Sequence, residues 1–221
     1  MNEVENNIKN YSKYLEFLQG KLNKFFDAQS PYIACKKGCA LCCKNAQFPY
    51  SEVEFNYLVQ GSLALPSDIQ KKIDENIQKV LKEKELFKGE NFKYDCPFLI
   101  DDGCSLYLYR GIVCRAFGLI EANDEGNAKI PFCHEKGLNY SQVVDEEKML
   151  ISEEKYLALN EVKQPLAYNV GYKFLTSEKI EKEFEFKFGE KKPLIEWFYW
   201  WILEKNLKNK LIRSFKNLLL R

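Results

Sequence analysis

The sequence predicts a mainly α protein with one or two small β-hairpins, and three observations carry that prediction. Long stretches place apolar side chains at three- and four-residue spacing, the signature Ser-x-x-Glu/Gln occurs ahead of two of them, and an Asp-Gly turn lies between two short apolar runs. From residue 3 to about 27, Val4, Ile8, Tyr11, Leu15, Leu18, Leu22, Phe25 and Phe26 form one stripe, the pattern of an amphipathic helix closed by Ser30-Pro31. Ser51-Glu-Val-Glu54 reads as a capping box opening a short helix, and Ser67-Asp-Ile-Gln70 as another opening a charged helix to about Leu86. From Cys96 to Tyr107 the order is strand, tight turn at Asp101-Asp-Gly103, strand, with glycine expected at the positive-φ position. A looser hairpin is expected from Phe117 to Phe132 around Asp124-Glu-Gly-Asn127. From Ser141 onward the pattern is helical again, broken at Pro165, near Gly171 and from Gly189 to Pro193, with a last helix from Ile195 to Leu220. The expected organisation is a cysteine-bearing region with its N-terminal helix over residues 1–140, and a helical region over 141–221 packed on it as one unit.

Composition removes several function classes. The chain has 221 residues, with 33 basic and 32 acidic side chains, so its net charge gives no long-range attraction to nucleic acid. The start, Met-Asn-Glu-Val-Glu, lacks the basic and apolar regions of a secretory signal. No apolar run reaches the ~18 residues of a membrane span; the longest, Trp197 to Leu203, stops at Glu204. A cytoplasmic location and no transmembrane segment are therefore expected. There is no G-x-G-x-x-G, P-loop or G-x-S-x-G pattern, and Asp95, Asp101 and Asp102 read as turn residues.

The cysteines carry the chemistry. Cys35, Cys39, Cys42 and Cys43 crowd into nine residues, and Cys96, Cys104, Cys114 and Cys133 follow; the rest of the chain has none. In a reducing compartment such a cluster points to metal binding or redox work rather than disulfides. Were residues 34–44 helical, the first four thiols would share one face, yet successive turns are ~6 Å apart and a Zn–S bond is about 2.3 Å. The segment must therefore loop at Gly38 or share its ligands with later cysteines. Cys96 and Cys104 flank the Asp-Gly turn and could return to the first cluster, with Cys114 completing a set; eight thiols suffice for two four-thiolate sites. Lys36, Lys37, Lys44, Arg110 and Arg115 neighbour the cysteines, and cations there favour thiolates. Arg115, directly after Cys114, is assigned a supporting role beside the ligands. An iron–sulfur cluster is preferred over zinc, because Cys96-Pro97 matches the cysteine-proline step of ferredoxins. Cys35-x3-Cys39-x2-Cys42 also has the spacing of radical S-adenosylmethionine enzymes, but the strand–helix alternation of their barrels is missing. The single histidine, His134 beside Cys133, excludes a multi-histidine site and is a further ligand candidate, though a lone histidine is more often solvent-facing or hydrogen-bonded.

These blocks in order, Cys35-x3-Cys39-x2-Cys42-Cys43, Cys96-Pro-Phe-Leu, Cys104-Ser-Leu-Tyr and Arg110-x3-Cys114-Arg-x-Phe, resemble the YkgJ-type cysteine-cluster family, the zinc- or iron-chelating domain also found in flagellin lysine N-methylase. The likeness runs from Cys35 to Cys133 and departs at Gly111, where that family commonly has proline. It implies a metal centre held by Cys35, Cys39, Cys42, Cys43, Cys96, Cys104 and Cys114; Cys133, in a short Phe-Cys-His, is an eighth metal-ligand candidate beside these. The centre so implied is an iron–sulfur cluster (4Fe-4S) or zinc, with Arg110 and Arg115 on the cofactor side. For the methylase branch the resemblance also implies S-adenosylmethionine and a protein substrate methylated on lysine. The C-terminal run is expected to bury Trp197, Trp200 and Trp201 and to pack Leu207, Leu211, Phe215 and Leu218 on the core. Its basic residues Lys205, Lys208, Lys210, Arg213, Lys216 and Arg221 offer a second reading, a helix that docks a partner or a membrane surface.

Overall fold

The structure, a computed structural model, describes residues 3–35, 38–44, 47–122, 128–159 and 163–203. Helix α1 (Glu3–Ala28) forms where the apolar stripe predicts it and buries Tyr11, Tyr14, Leu15, Leu18 and Leu22, leaving Val4 54% exposed. A single 3-10 turn over Ser30–Tyr32, with Pro31 inside it, ends the helix and leads into the cysteine segment. Strand β1 (Pro49–Ser51) runs directly into α2 (Glu52–Leu63), where the capping box is complete: Ser51 Oγ accepts from the Glu54 N–H, and the Glu54 carboxylate accepts from the Ser51 N–H at 2.9 Å. The second expected box is not formed. Helix α3 (Ser67–Leu86) already contains Ser67, Pro66 precedes it without a side-chain cap, and Gln70 donates to the Leu65 carbonyl at 2.8 Å instead. Proline suits that entry because it has no N–H to satisfy and a fixed φ.

Strands β2 (Leu99–Ile100) and β3 (Gly103–Cys104) pair antiparallel, Leu99 opposite Cys104 and Ile100 opposite Gly103. Both turn residues have positive φ, and they are Asp101 (51°) and Asp102 (55°); the glycine expected there is the first residue of β3. A two-residue hairpin turn needs positive φ at both central positions, and aspartate tolerates it better than most side chains. Short helix α4 (Ile112–Ala116) follows, then β4 (Ile120–Ala122) and β5 (Ala128–Lys129), the looser hairpin.

Beyond Ser141 the expected helical region is corrected. The chain forms a hairpin of β6 (Val144–Asp145) and β7 (Leu150–Ile151), then α5 (Glu153–Ala158), β8 (Ala167–Tyr168), α6 (Tyr172–Leu175), α7 (Glu178–Phe184), β9 (Lys191–Pro193) and helix α8 over residues 194–203. At the first break Asp145 Oδ1 accepts from the Glu147 and Lys148 N–H groups at 3.1 Å each, a local turn that competes with helix. Strand β8 adds parallel to β4, and β9 pairs antiparallel with β1, so late strands complete sheets begun early in the chain.

Three apolar clusters result. One joins α2, α3, the β2–β3 hairpin and α8 through Phe55, Leu58, Ile73, Phe98, Phe198 and Trp201. Another packs α1 against Ile112, Val170, Leu175, Phe186 and Phe188, and a third gathers Tyr32, Ile120, Ile130, Tyr140, Val143 and Val144. Trp197 and Trp201 are buried as expected, while Trp200 is 51% exposed. Leu207, Leu211, Phe215, Leu218 and the basic positions from Lys205 to Arg221 lie outside the described residues. No helix among the described residues is long and apolar enough to cross a membrane.

Candidate metal centre

The described residues of the first cysteine segment form no α-helix. Gly38 takes a φ of 89°, in the left-handed region, and Leu41–Cys43 closes a 3-10 turn. The Cys43 carbonyl then accepts the Cys96 N–H at 2.8 Å, which fastens this loop to the base of the β2–β3 hairpin. Leu99 N–H donates back to the Cys96 carbonyl at 2.9 Å, and Cys104 stands opposite Leu99, so the hairpin carries Cys96 and Cys104 at its open end. Cys114 comes from α4, with its Sγ 3.8 Å from the Tyr50 hydroxyl. All eight thiols are free.

The electrostatics separate the thiols into neighbourhoods. Burial pushes the Cys96 thiol well above its ordinary value, and Cys114, Cys43 and Cys104 push the same way. Burial takes Cys114 up to about 12, against a hydrogen bond with Tyr50 and the Arg110 cation, with Cys104 and Cys43 adding to the rise. Cys104 is raised by burial and again by Cys43, while Arg110 opposes. Cys43, Cys104 and Cys114 thus each feel the Arg110 cation, and each of the three acts on the Cys96 thiol.

A different group surrounds Asn139. Its fully buried amide donates to Cys35 Sγ at 3.2 Å and to the Gly118 carbonyl at 2.8 Å, while its oxygen accepts the Ala34 N–H at 2.8 Å. The neighbouring Leu138 N–H donates to the Cys133 carbonyl at 3.2 Å, which brings Cys133 to the same place. Burial raises Cys133 to about 11, with Cys35 and Cys39 contributing. Cys35 is raised by burial, relieved by Asn139 and raised again by Cys39. Cys42 stands between the groups: its S–H donates to Cys43, which holds Cys43 below its ordinary value and Cys42 above, and Cys42 also feels Cys114 and Cys35.

Soft thiol donors without a single oxygen ligand suit zinc or an iron–sulfur cluster. As the side chains stand, no three His, Cys, Asp or Glu groups among the described residues converge to hold a metal ion. The donor chemistry fits such a centre.

The expected supporting residues divide. Arg110 stacks its guanidinium 3.6 Å from the Tyr107 ring centroid and donates from Nη1 to the Tyr107 carbonyl at 3.3 Å, and its Nε is buried without a partner. Arg115 is buried and directs its donors elsewhere, to the Arg110 carbonyl at 3.0 Å, Gln19 Oε1 at 3.0 Å and the Leu108 carbonyl at 2.5 Å. Those bonds brace the approach to α4. Lys44 pairs with Asp102 at 3.2 Å in solvent, which adds little stability, and Lys36 and Lys37 lie outside the described residues. The His134 ring is neither solvent-facing nor hydrogen-bonded: the residue is 3% exposed, in a 3-10 turn over Phe132–Lys136, and both ring nitrogens are buried without partners.

Three residues that shape the site escape sequence reasoning. Asn139 follows the last cysteine and belongs to no motif. Tyr50 and Glu54 sit in β1 and α2, and only the local role of Glu54 is visible as a capping box. In the fold Glu54 Oε1 accepts the Ile112 N–H at 2.8 Å, and Oε2 accepts the Tyr172 hydroxyl at 2.7 Å, so it positions the helix that carries Cys114.

Tyr50 also accounts for Gly111. The Gly111 N–H donates to the Tyr50 hydroxyl at 2.9 Å, and a Cβ at Gly111 would meet the Tyr50 ring at 2.5 Å. The φ of −66° at Gly111 would suit proline, but the ring above it would not. Gly111→Pro is therefore expected to lower stability by about 1–3 kcal/mol through overpacking and the lost donor. A thermal melt at or above that of the parent chain would contradict this account.

No curated protein and no solved structure matches this chain. Residues 34–134, which contain all eight thiols, match the CxxCxxCC family described as "Putative zinc- or iron-chelating domain". That segment is similar to this cysteine-cluster family, over somewhat less than half of the chain.

Proposed function

We propose that this protein binds metal through two cysteine groups, one formed by Cys43, Cys96, Cys104 and Cys114, the other by Cys35, Cys39 and Cys133 with Cys42. The observation that carries the reading is the Cys96–Cys43 backbone bond, which fastens the first cysteine segment to the hairpin bearing Cys96 and Cys104. Four thiols in one apolar neighbourhood repel one another as thiolates, and a bound cation offsets that repulsion. Arg110 supports the same reading, since its charge lies beside Cys43, Cys104 and Cys114 and its Nε is a buried donor with no partner in the protein.

An iron–sulfur cluster is the preferred occupant, with zinc as the alternative. Sulfide-bearing clusters accept hydrogen bonds that tune them, and Arg110 Nε and Asn139 Nδ2 are N–H donors beside the two groups. When bound, such a cluster would supply electron transfer or an open iron; zinc in a four-thiolate site would supply cross-linking of the fold. Methyl transfer from S-adenosylmethionine has its support in the family resemblance. Two cavities of about 520 and 540 Å³ lie between α1, α2 and the loop after α7, and beside β1 and β9; neither is lined by a cysteine.

The test is anaerobic purification with metal supplied, followed by an absorption spectrum and analysis of iron, zinc and acid-labile sulfide. Expected is a brown protein absorbing near ~400 nm with iron and sulfide in matching amounts. Colourless protein with stoichiometric zinc would move the reading to closed structural sites. Protein with neither metal would overturn it.

A further inference from the structure

We propose that the outward face of α8, with the chain that follows it, is a docking surface for an anionic lipid bilayer. The face carries no cysteine, and lipid binding there needs no metal.

Glu196, Tyr199, Trp200 and Leu203 recur at three- and four-residue spacing, so they share one side of α8, and all four are exposed. Tyr199 is 43% exposed, Trp200 51% and Leu203 51%, while Leu194, Ile195, Trp197, Phe198 and Trp201 are buried in the core. The helix thus turns Trp200 outward between two tryptophans that it buries. Beside the exposed ring stands a cation: Lys192 Nζ lies 5.6 Å from the Trp200 ring centroid and 3.9 Å from that of Trp197, and pairs with Glu190 at 3.1 Å.

The sequence beyond Leu203 keeps the register of this outward face and not of the buried one. Counting by threes and fours from Trp200 and Leu203 leads to Leu207, Leu211, Phe215 and Leu218. Counting from buried Phe198 and Trp201 leads to Lys205, Lys208, Ile212 and Lys216, which would set cations toward the core. Residues 204–221 lie outside the described residues, and by sequence they hold six of the 33 basic side chains and one of the 32 acidic ones. The rest of the chain is therefore net negative, and the charge is segregated.

Area and side-chain type select the occupant. A stable protein interface buries about 800 Å² on each partner, more than three side chains on one short helix present. A bilayer needs no shaped partner. Indole and phenol rings settle at headgroup level, and lysine and arginine meet anionic phosphates while their stems lie along apolar surface. Segregated charge then orients the molecule, its cationic stretch toward the lipid and its acidic body away. So many cations in that stretch favour lying in the interface over crossing it.

Flotation of the full chain with vesicles of phosphatidylcholine containing about one third phosphatidylglycerol tests this. Expected is co-flotation at low salt that weakens toward ~0.15 M, and none with phosphatidylcholine alone. Lipids brominated in their acyl chains should quench tryptophan emission in the parent chain and not in Trp200→Ala. That variant should partition about threefold to tenfold less, having lost a ring that enters the lipid. Leu203→Ser is an independent check on the same face; both positions are half exposed, so both variants should keep the parent's melting temperature. Lys208→Gln combined with Lys210→Gln should lower partitioning about tenfold or more. No flotation at low salt, equal flotation with neutral vesicles, or partitioning unchanged in both Trp200→Ala and Leu203→Ser overturns the inference. So does acrylamide quenching without lipid that is the same in the parent and in Trp200→Ala, because Trp200 would then already be covered by protein.

Discussion

Glu54→Gln is expected to lower stability by about 3 kcal/mol, the sum of a buried N–H left without an acceptor and the repulsion of two facing donors. The reason is that both carboxylate oxygens face donors unable to reverse. Oε1 accepts the Ile112 N–H at 2.8 Å and Oε2 accepts the Ser51 N–H at 2.9 Å, and a backbone N–H cannot become an acceptor. Whichever way the glutamine amide is turned, its NH2 meets one of them. The Ser51 and Tyr172 hydroxyls also donate to Oε2, at 2.7 Å each, so the oxygen end of the amide is better placed there and the conflict falls on Ile112. Burial pushes the Glu54 carboxyl above its ordinary value while these donors pull it back. A carboxyl held neutral would tolerate glutamine, so an unchanged melting temperature would show that the donors do not set its charge. For a chain of this size the expected loss corresponds to a fall of roughly 6–12 °C in a thermal melt. Because Ile112 opens the helix carrying Cys114, the variant should also load less metal in the group around Cys96.

Gly118→Ala is expected to cost a similar amount, about 3 kcal/mol, from two independent sources. The φ of 108° at Gly118 lies where side chains are strained, and a Cβ there would come within 2.7 Å of Asn139 Nδ2 and 3.0 Å of Cys35 Sγ. The clash is with an amide already committed to three hydrogen bonds, so it cannot move without releasing Cys35. Titration with Ellman's reagent should show faster modification of Cys35 in the variant than in the parent, alongside a lower melting temperature. Unchanged thiol reactivity with a lower melt would place the effect in the backbone alone and remove Asn139 from the account of Cys35.

Legibility in the sequence followed the range of the interactions. Helix α1 was readable because its burial repeats along one short stretch, and Ser51–Glu54 because capping is local. The Asp-Gly signal locates the hairpin but not its register: the positive φ values fall on Asp101 and Asp102, and Gly103 opens the second strand. The region after Ser141 misled because its apolar spacing fits a helix, and the deciding contacts are pairings with strands far away in the chain. Among the site residues, cysteines announce themselves by type and spacing. Asn139, Tyr50 and Gly118 act through single long-range contacts, and no pattern in one sequence marks an asparagine that will reach a sulfur more than a hundred positions upstream.

The pairing of β1 with β9 has a consequence for the order in which the protein comes into being. Tyr50, which touches Cys114 and holds Gly111, is flanked in β1 by residues that find their partners only when Lys191–Pro193 arrives, and its carbonyl accepts the Trp197 indole N–H at 3.1 Å. During synthesis the ribosome therefore exposes all eight thiols well before the strand and tryptophan that close over Tyr50 have been made. Closing so long a loop is slow, and a nascent chain spends that interval with its thiols open to oxygen and to stray metal. Supplying the correct metal while translation is still under way, rather than after purification, should raise the yield of native protein.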